Sequence, residues 1–272
     1  MLVKLFATGT GQAKSAIDYL LGDKDHTGKT RAVKPEILEG NPKITANLID
    51  SCTREHKYNS GAIAFRDGEK PTSEQIEKVM ASFEATFFAG LKKDKNFNIL
   101  WIRHEDKGNT ELHFLTPMTE ISKKTRLNIH PPGKKNLELF NSWVAVTNQQ
   151  LGFAQVVPDP LKRALSAFEA KIPKGQKKAG KLESIHKILE QRIRNGSIQN
   201  RDQLCSFLES KNVTITRKGK DYISICAEGT KPVRLKGSIY SENSNYQQIL
   251  TESSKAKSPK FLNKDEFLAV HS

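Results

Sequence analysis

Residues 98–120, NILWIRHEDKGNTELHFLTPMTE, alternate apolar and polar on either side of a short polar turn. Period-two alternation marks a strand with one buried face. Asn98–His104 and Thr110–Leu115 are therefore predicted to be the arms of a β-hairpin. Between them lies Asp106-Lys107-Gly108-Asn109, where Gly108 can supply the positive φ of a tight turn. With Lys107-Gly108 as the two-residue loop, Asp106 faces Asn109 and His104 faces Glu111. Directly opposed residues point to the same face, and His113, two residues beyond Glu111, shares it. Trp101, Leu112 and Phe114 point the other way and read as core. One hairpin thus presents His104, Glu111 and His113 to one side.

Two imidazoles and a carboxylate form a candidate metal set. Such donors suit Zn, Mn, Ni or Fe, and the oxygen ligand leaves room for Mg. A histidine in a strand is ordinarily a satisfied core or surface residue. Here the convergence of three possible ligands on one face sets them apart. The helical motif HExxH is absent, which disfavours peptide hydrolysis.

Charge points to the partner. The chain of 272 residues carries a net +14, unevenly spread. Residues 1–157 hold 22 Lys and Arg against 18 Asp and Glu, whereas residues 158–272 hold 22 against 12. That balance favours a polyanion, of which nucleic acid is the commonest. No apolar run reaches the 18 or so residues of a membrane span, so no membrane insertion is expected. The N-terminal MLVKLFATGTGQAKSA is too short and mixed for a secretory signal. Three scattered cysteines, Cys52, Cys205 and Cys226, make no disulfide framework, and a reducing cytoplasm is the expected setting.

Along the chain, Leu2–Ala7 reads as a strand and Ser15–Leu21 as a short helix bearing Tyr19. A helix from Asn41-Pro42 to about Ser51 and a strand over Tyr58–Phe65 follow. Thr72–Leu91 is the clearest long helix, with Ile76, Val79, Met80, Phe83, Phe87 and Phe88 along its apolar stripe and Thr72 or Ser73 as cap. Leu127–His130 is expected to add a strand and Leu137–Leu151 a helix. The division expected is 1–157 as one domain, 158–181 as a basic linker, 182–240 as a small α+β domain, and 241–272 as a Ser/Asn/Lys-rich, partly disordered tail.

Three segments taken together carry a resemblance: IDYLLGD at 17–23, YNSGAIAF with EKVMASFEATFFAGL within 58–91, and ILWIRHEDKGNTELHFLTPMTE at 99–120. The pattern H-x-D-x-x-x-x-E-x-N/H with an upstream Asp-Tyr-Leu-Leu resembles the relaxases, or mobilisation nucleases, of small mobilisable colicinogenic plasmids. The similarity covers about residues 1–157, and KDYISICAEGTKPVRLKGSIY at 220–240 is more weakly similar to segments that follow the nuclease domain.

The resemblance implies an α+β fold, an antiparallel sheet with helices on one side, in the palm-like form shared with rolling-circle initiators and HUH endonucleases. It implies site- and strand-specific nicking and rejoining of plasmid DNA at the origin of transfer. A tyrosine attacks the scissile phosphate, leaving a 5′-phosphotyrosine and a free 3′-OH. By resemblance Tyr19 is the nucleophile, with Tyr58 as the alternative, and His104, Glu111 and His113 hold a divalent metal, Mg²⁺ or Mn²⁺. The third ligand is Asn in the closest subgroup, and His113 stands in its place. Asp106 is either a partner of His104 or a proton acceptor, or simply the Asp that flanks the turn. Accessory mobilisation proteins and a coupling protein are implied partners. The rival readings are a rolling-circle replication initiator, a non-catalytic DNA-binding regulator and a metal-dependent hydrolase.

Overall fold

The structure is a computed structural model of the chain. It describes residues 1–25, 28–66, 68–105, 108–164, 177–226, 231–257 and 260–261. Two compact units form, one over Met1–Val156 and one over Val157–Lys260.

The first unit is α+β. Its five strands are β1 (Leu2–Leu5), β2 (Glu36–Glu39), β3 (Tyr58–Ala64), β4 (Leu100–His104) and β5 (Glu111–Pro117). They form one sheet in the order β1-β3-β5-β4-β2, with every neighbouring pair antiparallel. The helices are α1 (Ala13–Leu21), α2 (Pro42–Asp50), α3 (Ser73–Phe87) and α4 (Lys134–Leu151). Helix α3 starts on a reciprocal cap: the Thr72 hydroxyl accepts from the Gln75 N–H, and the Gln75 side chain accepts from the Thr72 N–H.

Strand alternation sorts the side chains into two layers. Ile63, Trp101, Leu112 and Phe114 face α3 and α4, where fully buried Phe83 meets Phe87, Trp101, Phe114, Phe140 and Trp143 at ring separations of 4.6–6.4 Å. Each such fully buried side chain contributes about 1.5–3 kcal/mol by leaving water. The Trp101 indole N–H is satisfied by Glu84 Oε1 at 2.8 Å. The opposite face carries Leu100, Ile102 and Leu115, which are buried under Ala13 and Leu20 of α1 and Ile49 of α2. Helices therefore cover both faces, not one. The reason lies in β4 and β5, which are apolar on both sides over their first or last residues and must be shielded on both.

One further expectation needs correction in this unit. Leu127–His130 forms no strand; the chain there makes only an isolated bridge, Thr119 to Arg126, and a Leu127 N–H to Met118 O bond. Conversely β2 was not anticipated, because four residues with three unlike side chains give no clear period.

Glu120, in the loop after β5, is buried and accepts from Ser122 Oγ at 2.5 Å, Asn96 Nδ2 at 2.7 Å and the Lys123 N–H. These donors favour the carboxylate and pull its pKa from 4.5 to about 2. A depressed folded pKa stabilises the fold above the ordinary carboxylate range, and that stability is lost as pH falls from about 4.5 towards 2. Glu120→Gln is thus expected to lower the urea midpoint at pH 7 and to converge on the parent by pH 2–3. A gap between the two that stays constant with pH would remove Glu120 from this role.

The second unit has helices α5 (Lys177–Arg194), α6 (Arg201–Glu209) and α7 (Tyr246–Lys257), and strands β6 (Thr214–Lys218), β7 (Tyr222–Cys226) and β8 (Val233–Lys236) in one antiparallel sheet. Leu189, Ile193, Leu204 and Leu208 pack with Ile223, Ile225 and Leu235. Helix α7 lies in the stretch expected to be a poorly ordered tail. Its Ser- and Asn-rich surroundings hide Tyr246, Ile249 and Leu250, an i, i+3, i+4 stripe whose first two members are buried. Within the expected linker, Leu161 is fully buried in this core and α5 begins at Lys177; residues 165–176 lie outside the described residues. Among the described residues no helix is long and apolar enough to cross a membrane.

Candidate functional site

The β4–β5 hairpin sets the site. His104 pairs with Glu111 and Ile102 with His113, the register expected from the alternation. Gly108 takes a φ of 80° in the turn. Asp106 and Lys107 lie outside the described residues, so the role expected for Asp106 has no structural account. The sheet continues the row through Ala64 and Ala62 of β3 to Leu2 and Lys4 of β1. Small residues beside Glu111 and His113 keep this part of the face low, while the helices cover its other end.

One ligand atom from each of His104, Glu111 and His113 lies within 4.8 Å of the other two. The histidine rings stand 4.2 Å apart, centroid to centroid, and both are buried. His104 Nε2 lies 2.7 Å from the Leu20 carbonyl. A carbonyl has no proton to give, so Nε2 carries the proton and Nδ1 the lone pair. A backbone carbonyl holding the far nitrogen is the usual support of a metal-binding histidine. His113 Nε2 lies 3.2 Å from Glu111 Oε2. Two donors each ~2.1 Å from one ion stand about that far apart. The other ring nitrogen, His113 Nδ1, is buried with no hydrogen-bond partner among the described residues, so it is Nε2, beside Glu111, that is placed to ligate. The donor set therefore fits a divalent cation.

Tyr19 is brought to the same place by the end of its helix. The last carbonyls of a helix lack partners within it. Leu20 O is taken by His104, Tyr19 O by Arg31 Nη2 at 3.2 Å, and Gly22 O by Arg31 Nε at 3.1 Å. The Arg31 guanidinium also lies 5.6 Å from the Tyr19 ring centre and places Nη1 3.4 Å from His104 Nδ1. A single arginine thus ties the turn that carries Tyr19 to the metal set. Leu20 is buried, but Tyr19 is 39% exposed. Tyr58 differs: it packs in the cluster under α1 and α2, and burial pushes its phenol up, away from the ionisation a nucleophile needs. It lies four residues along β3 from Ala62, roughly 13 Å. Tyr240 and Tyr246 are buried in the second unit.

Two residues of the site were not individually legible. Arg31 is one of many basic residues in the chain, and only the fold returns it to α1. Phe6, 39% exposed, stacks against His113 with centroids 6.3 Å apart, and Lys4 Nζ lies 5.9 Å from its ring. The alternation Leu2, Lys4, Phe6 was the available signal, but its meaning depended on pairing with β3.

Over 245 residues the chain is 31% identical to the DNA relaxase MbeA of Escherichia coli, covering 89% of this chain and 45% of that protein. It spans, then, somewhat less than half the length of that relative. It is 33% identical over 187 residues to cryptic plasmid protein C of Neisseria gonorrhoeae, covering 68% of this chain and 86% of that protein. No family model and no solved structure matches the chain.

Proposed function

Because the chain belongs to the family of MbeA-like mobilisation relaxases, we propose that its first unit nicks and rejoins one strand of plasmid DNA at an origin of transfer, with Tyr19 as the nucleophile. The observation that carries this reading is the junction of α1 and β4: the residue after Tyr19 is hydrogen-bonded to a member of a three-residue metal-ligand set.

The phenol oxygen of Tyr19 bonds to phosphorus as the bond from phosphorus to the 3′ oxygen breaks. The phenol proton departs to a base, and the 3′ oxygen takes up a proton and leaves as a hydroxyl. The new phosphotyrosyl link keeps the energy of the old diester, so the reverse attack by a 3′-OH reseals a strand. His104, Glu111 and His113 would hold Mg²⁺ or Mn²⁺, which polarises a scissile phosphate and offsets its growing charge. The bond from Nε2 to Leu20 O leaves the lone pair of His104 on Nδ1, where a bound cation would displace the Arg31 Nη1 donor now 3.4 Å away. Arg31 brings a fixed positive charge beside the Tyr19 ring, suited to a phosphate oxygen. Phe6 and Lys4 offer an aromatic face and a cation to the flanking single strand.

In this reading the first unit is the nuclease domain, working in a bacterial cytoplasm with accessory mobilisation and coupling proteins. The test is to incubate the protein with labelled single-stranded DNA spanning the transfer region of its plasmid, with Mn²⁺, Mg²⁺ or a chelator, and to run a denaturing gel. A metal-dependent band of protein-linked DNA is expected. Free cleaved product without that band would mean hydrolysis, and tight binding without cleavage would mean a DNA-binding regulator.

A further inference from the structure

The three strands of the second unit read TITRK, YISIC and VRLK: four basic residues and no acidic one. Ile223, Ile225 and Leu235 point into the helical core. Tyr222 and Ser224 consequently point outward, with Lys236 opposite Tyr222 and Arg234 opposite Ser224.

Arg217 reaches that face through an irregularity. Ile215 pairs with inward-facing Ile225, so plain alternation would turn Arg217 inward as well. A bulge between Ile215 and Arg217 shifts the register by one residue, and Arg217 pairs with Ser224. Re-aiming a side chain in this way is what bulges do. Arg217 and Arg234 then flank the Tyr222 ring from the two neighbouring strands, with guanidinium carbons 5.9 and 4.1 Å from its centre. Gly219 makes room, since a Cβ there would stand 2.3 Å from the ring. Thr214, Thr216, Arg217, Arg234 and Lys236 are exposed, and the nearby acid Asp221 is paired with Lys236 at 2.7 Å.

We propose that this outward sheet face binds duplex DNA, with Arg217 and Arg234, held against Tyr222, as the paired contacts. Charge complementarity selects a polyanion: guanidinium pairs and hydroxyls are the usual phosphate donors, and sheet strands can enter a groove. The state of Tyr222 selects duplex over single strand. Single-strand binding relies on open aromatic faces on which bases stack, and this ring is half-buried and flanked by guanidinium groups. The inference does not depend on cleavage chemistry.

The full chain is titrated into a labelled 30-base-pair duplex and, separately, a 15-nucleotide single strand. Chelator is present and salt runs from 50 to 200 mM. Arg217→Ala/Arg234→Ala is expected to weaken duplex binding at least tenfold and to lower the slope of log affinity against log salt by about 2, one for each lost contact. Single-strand affinity is expected to change less than twofold. Arg217→Lys/Arg234→Lys, which keeps the charge, should recover most of the salt slope and so separates loss of contact from loss of fold. An unchanged duplex affinity and slope in the alanine variant overturns the proposal, as does an equal loss on the single strand.

Discussion

Tyr19→Phe is expected to abolish the covalent protein–DNA adduct while leaving the fold and cation binding intact. The phenol oxygen is the only atom removed, and the proposed nucleophile goes with it. The ring stays, so its contact with Arg31 survives. The bonds that fix this turn run from Arg31 to the carbonyls of Tyr19 and Gly22 and from His104 to the carbonyl of Leu20, none through the hydroxyl. At a site this exposed the melting temperature should move by no more than ~0.5 kcal/mol implies. Adduct on a denaturing gel and thermal unfolding read the two effects apart. An adduct that persists in Tyr19→Phe removes Tyr19 from the chemistry, and Tyr58→Phe becomes the next variant.

The second large effect concerns the metal set. Glu111→Ala and His113→Ala should each remove saturable Mn²⁺ binding and cut nicking by roughly 10²–10³. That size follows if the bound ion supplies several kcal/mol to the transition state, at 1.36 kcal/mol per factor of ten. These positions are cleaner than His104, whose loss would also release the Leu20 carbonyl and with it the turn bearing Tyr19. Binding has a readout of its own. At a metal concentration of 100 Kd the parent should gain about 2.7 kcal/mol of stability, seen as a rise in melting temperature, and the variants none. If the chelated parent nicks at full rate, or if Glu111→Ala keeps the metal-induced rise, the cluster is structural.

The hairpin shows how far local pattern reaches. Alternation and one turn glycine were enough to place His104 opposite Glu111 with His113 on the same face, because strand register follows from a period of two. The α3 stripe and its Thr72 cap were legible for the same reason: their partners lie within a few residues. What pairs over long distances was not. The helices over the ligand face, the stacking of Phe6 on His113 and the use of Arg31 to close the end of α1 all join segments far apart in the chain. Composition misled at α7, where polar residues outnumber a short buried stripe, and at Arg217 plain alternation would point the side chain the wrong way, because a bulge reverses it.

The sequence by itself determined which residue types could ligate a metal and that three of them share one face of the hairpin, since both follow from residue type and backbone period. Only the tertiary structure decided what stands next to them. Helix α1 ends with carbonyls in need of donors, and those donors come from β4 and from the loop after the helix; that requirement is what brings Tyr19 to the metal set.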